Sequence, residues 1–132
     1  MGNYLRNFTI LVVEDETLVR VDAVGVLRDG GYIVLDAADS SEALQLIEDN
    51  TDVWVLFSDV DMPGVQDGLT LAHEVRRRYP AAHIIVTSGK ALPHGRGLPI
   101  HGRFIGKPYC MNDVARLIDV MYAEDIAPLA AA

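Results

Sequence analysis

Residues 8–16 read FTILVVEDE and residues 53–61 read VWVLFSDVD. Each is an unbroken β-branched or aromatic run that ends in acids. A strand with one wet face alternates apolar and polar side chains, whereas an unbroken apolar run suits a strand covered on both sides, as in a parallel sheet. Residues 84–86 (IIV) repeat the pattern, and residues 32–35 and 104–105 supply two shorter runs. Helical patterns separate them. One helix runs from about Thr17 to the Gly30-Gly31 pair, a helix-stop signal. Asp39 with Glu42 three positions on marks a second start, ahead of Ala43, Leu44 and Ile47, because such a pair satisfies the first free backbone N–H groups. Leu71, Val75 and Tyr79 recur every four residues, and Val114, Leu117, Ile118 and Met121 form a stripe at helical spacing. Strand and helix therefore alternate five times, which predicts an α/β fold, a parallel sheet with helices on both faces. The exception is 89–106, where five of the eleven glycines gather with Pro93 and Pro99. This is poor helix material, so the fourth helix, due between the fourth and fifth strands, is predicted short, distorted or absent.

At 132 residues the chain has room for one domain, 1–132, with a fair core, and no output domain is expected beside it. Half of the residues are apolar and 23% are charged, a balance of folded rather than disordered chains. Eleven Lys and Arg against nineteen Asp and Glu leave a net charge of −8. Such a surface repels phosphate backbones and anionic lipid, which argues against nucleic acid and membrane as direct partners. The single cysteine, Cys110, permits no internal disulfide. It reads as a small, partly buried residue in a reducing cytoplasm. No apolar stretch approaches the ~18 residues of a membrane-spanning helix, and the first residues lack a signal-peptide pattern.

In open α/β sheets the working residues lie beyond the carboxyl ends of the strands. Here those positions hold Glu14, Asp15 and Glu16 after the first strand, Asp59 and Asp61 after the third, Thr87 and Ser88 after the fourth, and Lys107 after the fifth. If the first and third strands are neighbours, about 4.8 Å apart, Glu14, Asp15 and Asp59 share one pocket mouth. Like charges at about 4 Å repel by roughly 4 kcal/mol at an effective dielectric of about 20. A hard divalent cation, Mg²⁺ by preference, would neutralise them and keep positions open for water and phosphate. Acids, a hydroxyl and a lysine together suit phosphoryl transfer to a carboxylate. Taken singly, Glu14 or Asp15 reads equally as a helix cap, Lys107 as a solvated surface lysine and Thr87 as a strand-edge residue.

These residues resemble the receiver domain of two-component response regulators over 8–122. The matching pieces are ILVVEDE, FSDVDMPG followed by Asp67-Gly68, IIVTSG and FIGKPY. The resemblance implies a flavodoxin-like, doubly wound five-stranded parallel sheet in the order 2-1-3-4-5. It makes Asp59 the acceptor of a phosphoryl group from a phosphohistidine, supplied by a sensor histidine kinase or phosphotransfer protein. It makes Asp15 a direct Mg²⁺ ligand, with Glu14 acting through water and the Asp61 backbone carbonyl completing the site. Thr87 and Lys107 would contact the phosphoryl oxygens, and Thr87 with the aromatic Phe104 would carry the switch to an unidentified downstream protein. Lys107-Pro108 would be cis. The chain would modify itself rather than turn over a substrate, as a monomer or a dimer formed on phosphorylation.

Asp61 adds a fourth carboxylate and Ser88 stands where a small apolar residue often follows the family's Thr, so both can alter how water reaches an acyl phosphate. Three other readings compete. A phosphorylation-independent receiver-like scaffold would have no need of the acid cluster. An aspartyl-nucleophile phosphatase is suggested by Asp59-x-Asp61, but would need a substrate cap. A flavodoxin is disfavoured because Glu14-Asp15-Glu16 would repel the flavin phosphate. Elsewhere, the four histidines show no metal spacing and His73 reads as exposed or interfacial. Arg76, Arg77 and Arg78 read as a solvated helix end, and Trp54 as core.

Overall fold

The computed structural model describes residues 7–49, 52–61, 68–90 and 97–131. The chain runs β1 (Thr9–Val13), α1 (Thr17–Asp29), β2 (Ile33–Ala37), α2 (Ser40–Asp49), β3 (Val55–Asp59), α3 (Gly68–Arg78), β4 (His83–Ser88), β5 (Arg103–Gly106) and α4 (Met111–Ala131). The strands form one parallel sheet in the order β2-β1-β3-β4-β5, the flavodoxin-like order.

The unbroken apolar runs follow from the pleat. Ile10, Val12, Val55, Phe57 and Ile85 point to one face, where they pack with Leu27 of α1 and Val114, Ile118 and Met121 of α4. Leu11, Val13, Leu56, Ile84 and Val86 point to the other, against Ala43 and Ile47 of α2 and Leu71 and Val75 of α3. Successive side chains of one strand enter opposite cores, so all five residues of β3 are buried.

Local signals end and start the helices where the sequence places them. Gly31 follows α1 at φ 94°, a conformation glycine adopts without penalty, and its N–H closes on the Arg28 carbonyl at 2.9 Å. At α2, the Asp39 carboxylate accepts the Glu42 N–H at 2.8 Å, while Glu42 Oε1 accepts the Ala38 N–H at 3.3 Å. These bonds satisfy two of the donors that a helix start leaves open.

The fourth helix needs a correction. In chain order it is α4, 21 residues long and placed after β5, neither short nor absent. Between β4 and β5, where the glycines and prolines gather, no described residue is helical; residues 91–96 lie outside the described residues. The connection that returns to β5 is instead tied to α3. Arg76 donates to the carbonyls of Ile100 at 3.1 Å, Pro80 at 2.8 Å and Ala82 at 2.6 Å, and a His73 ring nitrogen meets the Gly97 carbonyl at 2.9 Å. Arg76 is therefore no part of a solvated face, although Arg77 and Arg78 pair with Glu74, and Arg78 also with Glu48, at the surface. Cys110 is exposed rather than partly buried, because it falls in the loop between β5 and α4. No helix among the described residues is long and apolar enough to cross a membrane.

Candidate functional site

The strand register assembles the site. Val13 pairs with Ser58, so Glu14 and Asp59 emerge side by side; Asp59 pairs with Thr87, and Ser88 with Gly106, the residue before Lys107. Every acid expected at a strand end, with the hydroxyl and the lysine, thus stands at the carboxyl edge of three adjacent strands and their neighbour β5. Glu14 extends the ladder by one bond, its N–H reaching the Ala37 carbonyl at 3.0 Å. Arg20 braces the turn that follows, donating to the Glu14 carbonyl at 2.7 Å and to Asp36 Oδ2 at 3.1 Å.

Carboxylate oxygens of Glu14, Asp15 and Asp59 lie within 4.8 Å of one another. Glu14 and Asp59 are buried and Asp15 is exposed. Burial drives the Glu14 carboxyl up to about 7, with Asp59 adding repulsion and the Glu16 N–H, which donates to Glu14 Oε2 at 2.9 Å, pulling the other way. The donor set fits a hard divalent cation: all oxygen, closely gathered and under-neutralised. Neither early acid caps α1, whose N-cap residue is Glu16 with no side-chain capping bond.

Lys107 Nζ donates to Asp59 Oδ2 at 2.7 Å. Burial lowers the lysine's proton affinity, but the bond to Asp59 and the charges of Asp59, Glu14 and Asp61 outweigh it and raise its pKa. The other acceptor oxygen, Asp59 Oδ1, takes the Asp61 N–H at 2.8 Å. Lys107-Pro108 is cis. Thr87 is buried beside Asp59, whereas Phe104, on β5 opposite Val86, keeps 39% of its surface in solvent. Gly68 opens α3 against the acceptor's own backbone: a Cβ there would fall 2.2 Å from the Asp59 carbonyl oxygen. Only glycine lets the helix start so close. Residues 62–67 of the matched motif lie outside the described residues.

A cleft of about 600 Å³ opens beside the acids, between α1 and the loop after β5, lined by Glu14, Leu18, Lys107, Pro108, Tyr109 and Met111. Leu18 is 84% exposed there. One arrangement escaped the sequence reading. The Asp61 side chain turns from the acids to accept from Ser88 Oγ at 2.9 and 3.0 Å and from the Gly89 N–H at 2.9 Å. Burial opposes its ionisation, but these donors and Lys107 and Lys90 hold its carboxyl below the usual range.

Known proteins carry the same pattern. The family model for the response regulator receiver domain matches residues 10–96. The sensor kinase CckA of Brucella abortus is 38% identical over 117 residues, covering 86% of this chain and 12% of that protein. The transcriptional regulatory protein PdtaR of Mycobacterium tuberculosis is 38% identical over 118 residues, covering 84% of this chain and 55% of that protein. The chain therefore spans about half or less of these relatives. The crystal structure of the receiver domain from the hybrid histidine kinase CckA, 38% identical, superposes with a TM-score of 0.72 and covers 84% of this chain and 95% of that one.

Proposed function

We propose, from the premise that this chain belongs to the response regulator receiver domain family, that it is a cytoplasmic receiver which takes a phosphoryl group onto Asp59. The observation that carries the reading is the Asp59 carboxylate, buried at the end of β3 and held through one oxygen by Lys107 and through the other by the Asp61 N–H. The attacking group is thereby fixed and kept from bulk water.

The donor is a phosphohistidine on a histidine kinase or phosphotransfer protein. An Asp59 oxygen forms its bond to phosphorus as the phosphorus–nitrogen bond breaks, and the imidazole leaves with the electron pair. Lys107 follows the transferred oxygens with its ammonium, and the buried Thr87 hydroxyl offers them a hydrogen bond. Asp15, Asp59 and the Asp61 carbonyl, with Glu14 through water, would hold Mg²⁺, which would neutralise the acids and the incoming phosphoryl charge. Hydrolysis of the acyl phosphate resets the domain, so the chemistry is self-modification. Thr87 and Phe104 bias an equilibrium between two conformations, and with it the docking of a downstream protein. The apolar, Lys107-lined cleft beside the acids suits the phosphodonor's approach.

Intact-protein mass spectrometry after incubation with acetyl phosphate tests this. Wild type should gain one phosphoryl group with magnesium and none with EDTA, while Asp59→Asn should gain none in either. Acetate leaves as its phosphorus–oxygen bond breaks. A wild type that stays unmodified in magnesium would overturn the acceptor role and favour an interaction scaffold.

A further inference from the structure

We infer that Asp61 is a positioning residue that carries the chemical state of Asp59 to the turn after β4, through Ser88. The inference rests on Asp59 being the phosphoryl acceptor.

Asp61 holds two regions at once. Its backbone N–H donates to Asp59 Oδ1 at 2.8 Å. Its carboxylate accepts from Ser88 Oγ and from the Gly89 N–H, and Ser88 Oγ in turn accepts the Lys90 N–H at 3.0 Å. A continuous hydrogen-bonded path therefore leads from the acceptor carboxylate to Lys90, across elements 27 residues apart in sequence. Ser88 fits this place because its hydroxyl donates and accepts together; alanine there would break the path at one atom.

Phosphorylation acts on both ends of Asp61. Esterification turns one Asp59 oxygen into a bridging oxygen and removes the carboxylate charge that strengthens the Asp61 N–H bond. It also brings a phosphoryl group of about −1.5 to −2 charge onto the carboxylate that the Asp61 backbone N–H holds, two residues from a side chain that is itself negative. Like charge drives the Asp61 carboxylate away and weakens its hold on Ser88 and Gly89. The brace thus belongs to the unmodified state, and its release frees Gly89 and Lys90, the first residues of the connection to β5. This route runs beside the one through Thr87 and Phe104.

Amide hydrogen exchange of Gly89 and Lys90, with mass spectrometry of the same samples, tests the inference on the whole chain. In wild type these amides should exchange roughly tenfold faster after acetyl phosphate treatment, the size set by loss of a hydrogen bond to a charged group. In Ser88→Ala the Lys90 amide should exchange at the fast rate before treatment and show no further change after it, while Gly89, which bonds Asp61 directly, keeps its wild-type response and the protein still gains the phosphoryl group. Ser88→Thr, which keeps the hydroxyl, should restore the wild-type response, which a merely structural role for the position would not require. If wild type gains the phosphoryl group while these amides exchange at the same rate before and after, the inference is overturned and the acceptor reading stands. If wild type gains no phosphoryl group, both fall.

Discussion

Replacing Lys107 by methionine removes the ammonium from Asp59 while keeping most of the side-chain volume. At 2.7 Å and an effective dielectric of about 20, the ion pair is worth about 6 kcal/mol of Coulomb attraction. Against it stand the repulsions among carboxylates gathered within 4.8 Å, each about 3.5 kcal/mol at that distance before screening. Asp15 is exposed and screened, so Glu14 and Asp59 are the charges left unbalanced. Lys107 is 28% exposed against 3% for Asp59, and the methionine no longer needs desolvation. Breaking a fully buried pair costs about 3–5 kcal/mol, which places this one at about 2–3 kcal/mol. Urea denaturation in EDTA at pH 8, where Glu14 is ionised, should show that loss, with a fall in Tm of roughly 10 °C for a domain of this size. Asp59→Asn alone should be neutral or stabilising. The double variant should recover most of the loss, giving a coupling of about 2 kcal/mol in the mutant cycle. A Lys107→Met variant within 0.5 kcal/mol of wild type, or a coupling near zero, would refute the view that this lysine holds the acid cluster together.

Two further outcomes follow from contacts away from the site. Asp125 accepts from Trp54 Nε1 at 2.6 Å and meets a His83 ring nitrogen at 2.9 Å. Burial opposes its charge, but these partners win and lower its carboxyl pKa. A lowered acid contributes stability above its unfolded value, near 3.9, and loses it as pH falls through the folded value. Asp125→Asn should therefore cost about 1 kcal/mol at pH 7, discounted for its partial exposure, and progressively less as pH falls through the folded value; circular dichroism melts across pH check this, and a pH-independent difference would count against it. Arg76→Ala should cost about 1–2 kcal/mol through three lost carbonyl contacts. The Gly102 amide, bonded to the Pro99 carbonyl at 2.8 Å, should lose exchange protection with it, and an unchanged Gly102 would show that the connection holds without α3.

The parallel sheet and the acid-bearing strand ends were legible because they rest on local pattern: apolar runs without alternation, and charges one or two residues beyond them. Strand pairing then fixes Glu14, Asp59, Thr87 and Lys107 in one place with no further information. Asp61 was legible as a carboxylate and not as a bridge, since its partners Ser88 and Gly89 belong to another loop. Arg76 looked solvated because a helix-end arginine seen with its sequence neighbours has only the helix dipole to satisfy, while its true acceptors come from the returning connection and from the turn before β4. Trp54 was rightly placed in the core, at 8% exposure, yet its indole N–H partner lies 71 residues away. Long-range polar pairs leave no periodic trace.

The chain's only tryptophan sits just before β3, stacked on Tyr32 at 5.7 Å and edge-on to Tyr122 and His83. Asp59 closes the same strand, five residues or roughly 16 Å further on. Intrinsic fluorescence of this protein is therefore deaf to a ligand arriving among the acids, and speaks instead for how firmly the end of α4 grips the opposite rim of the sheet. An emission change on modification would report motion conveyed through the whole depth of the domain, with no label attached.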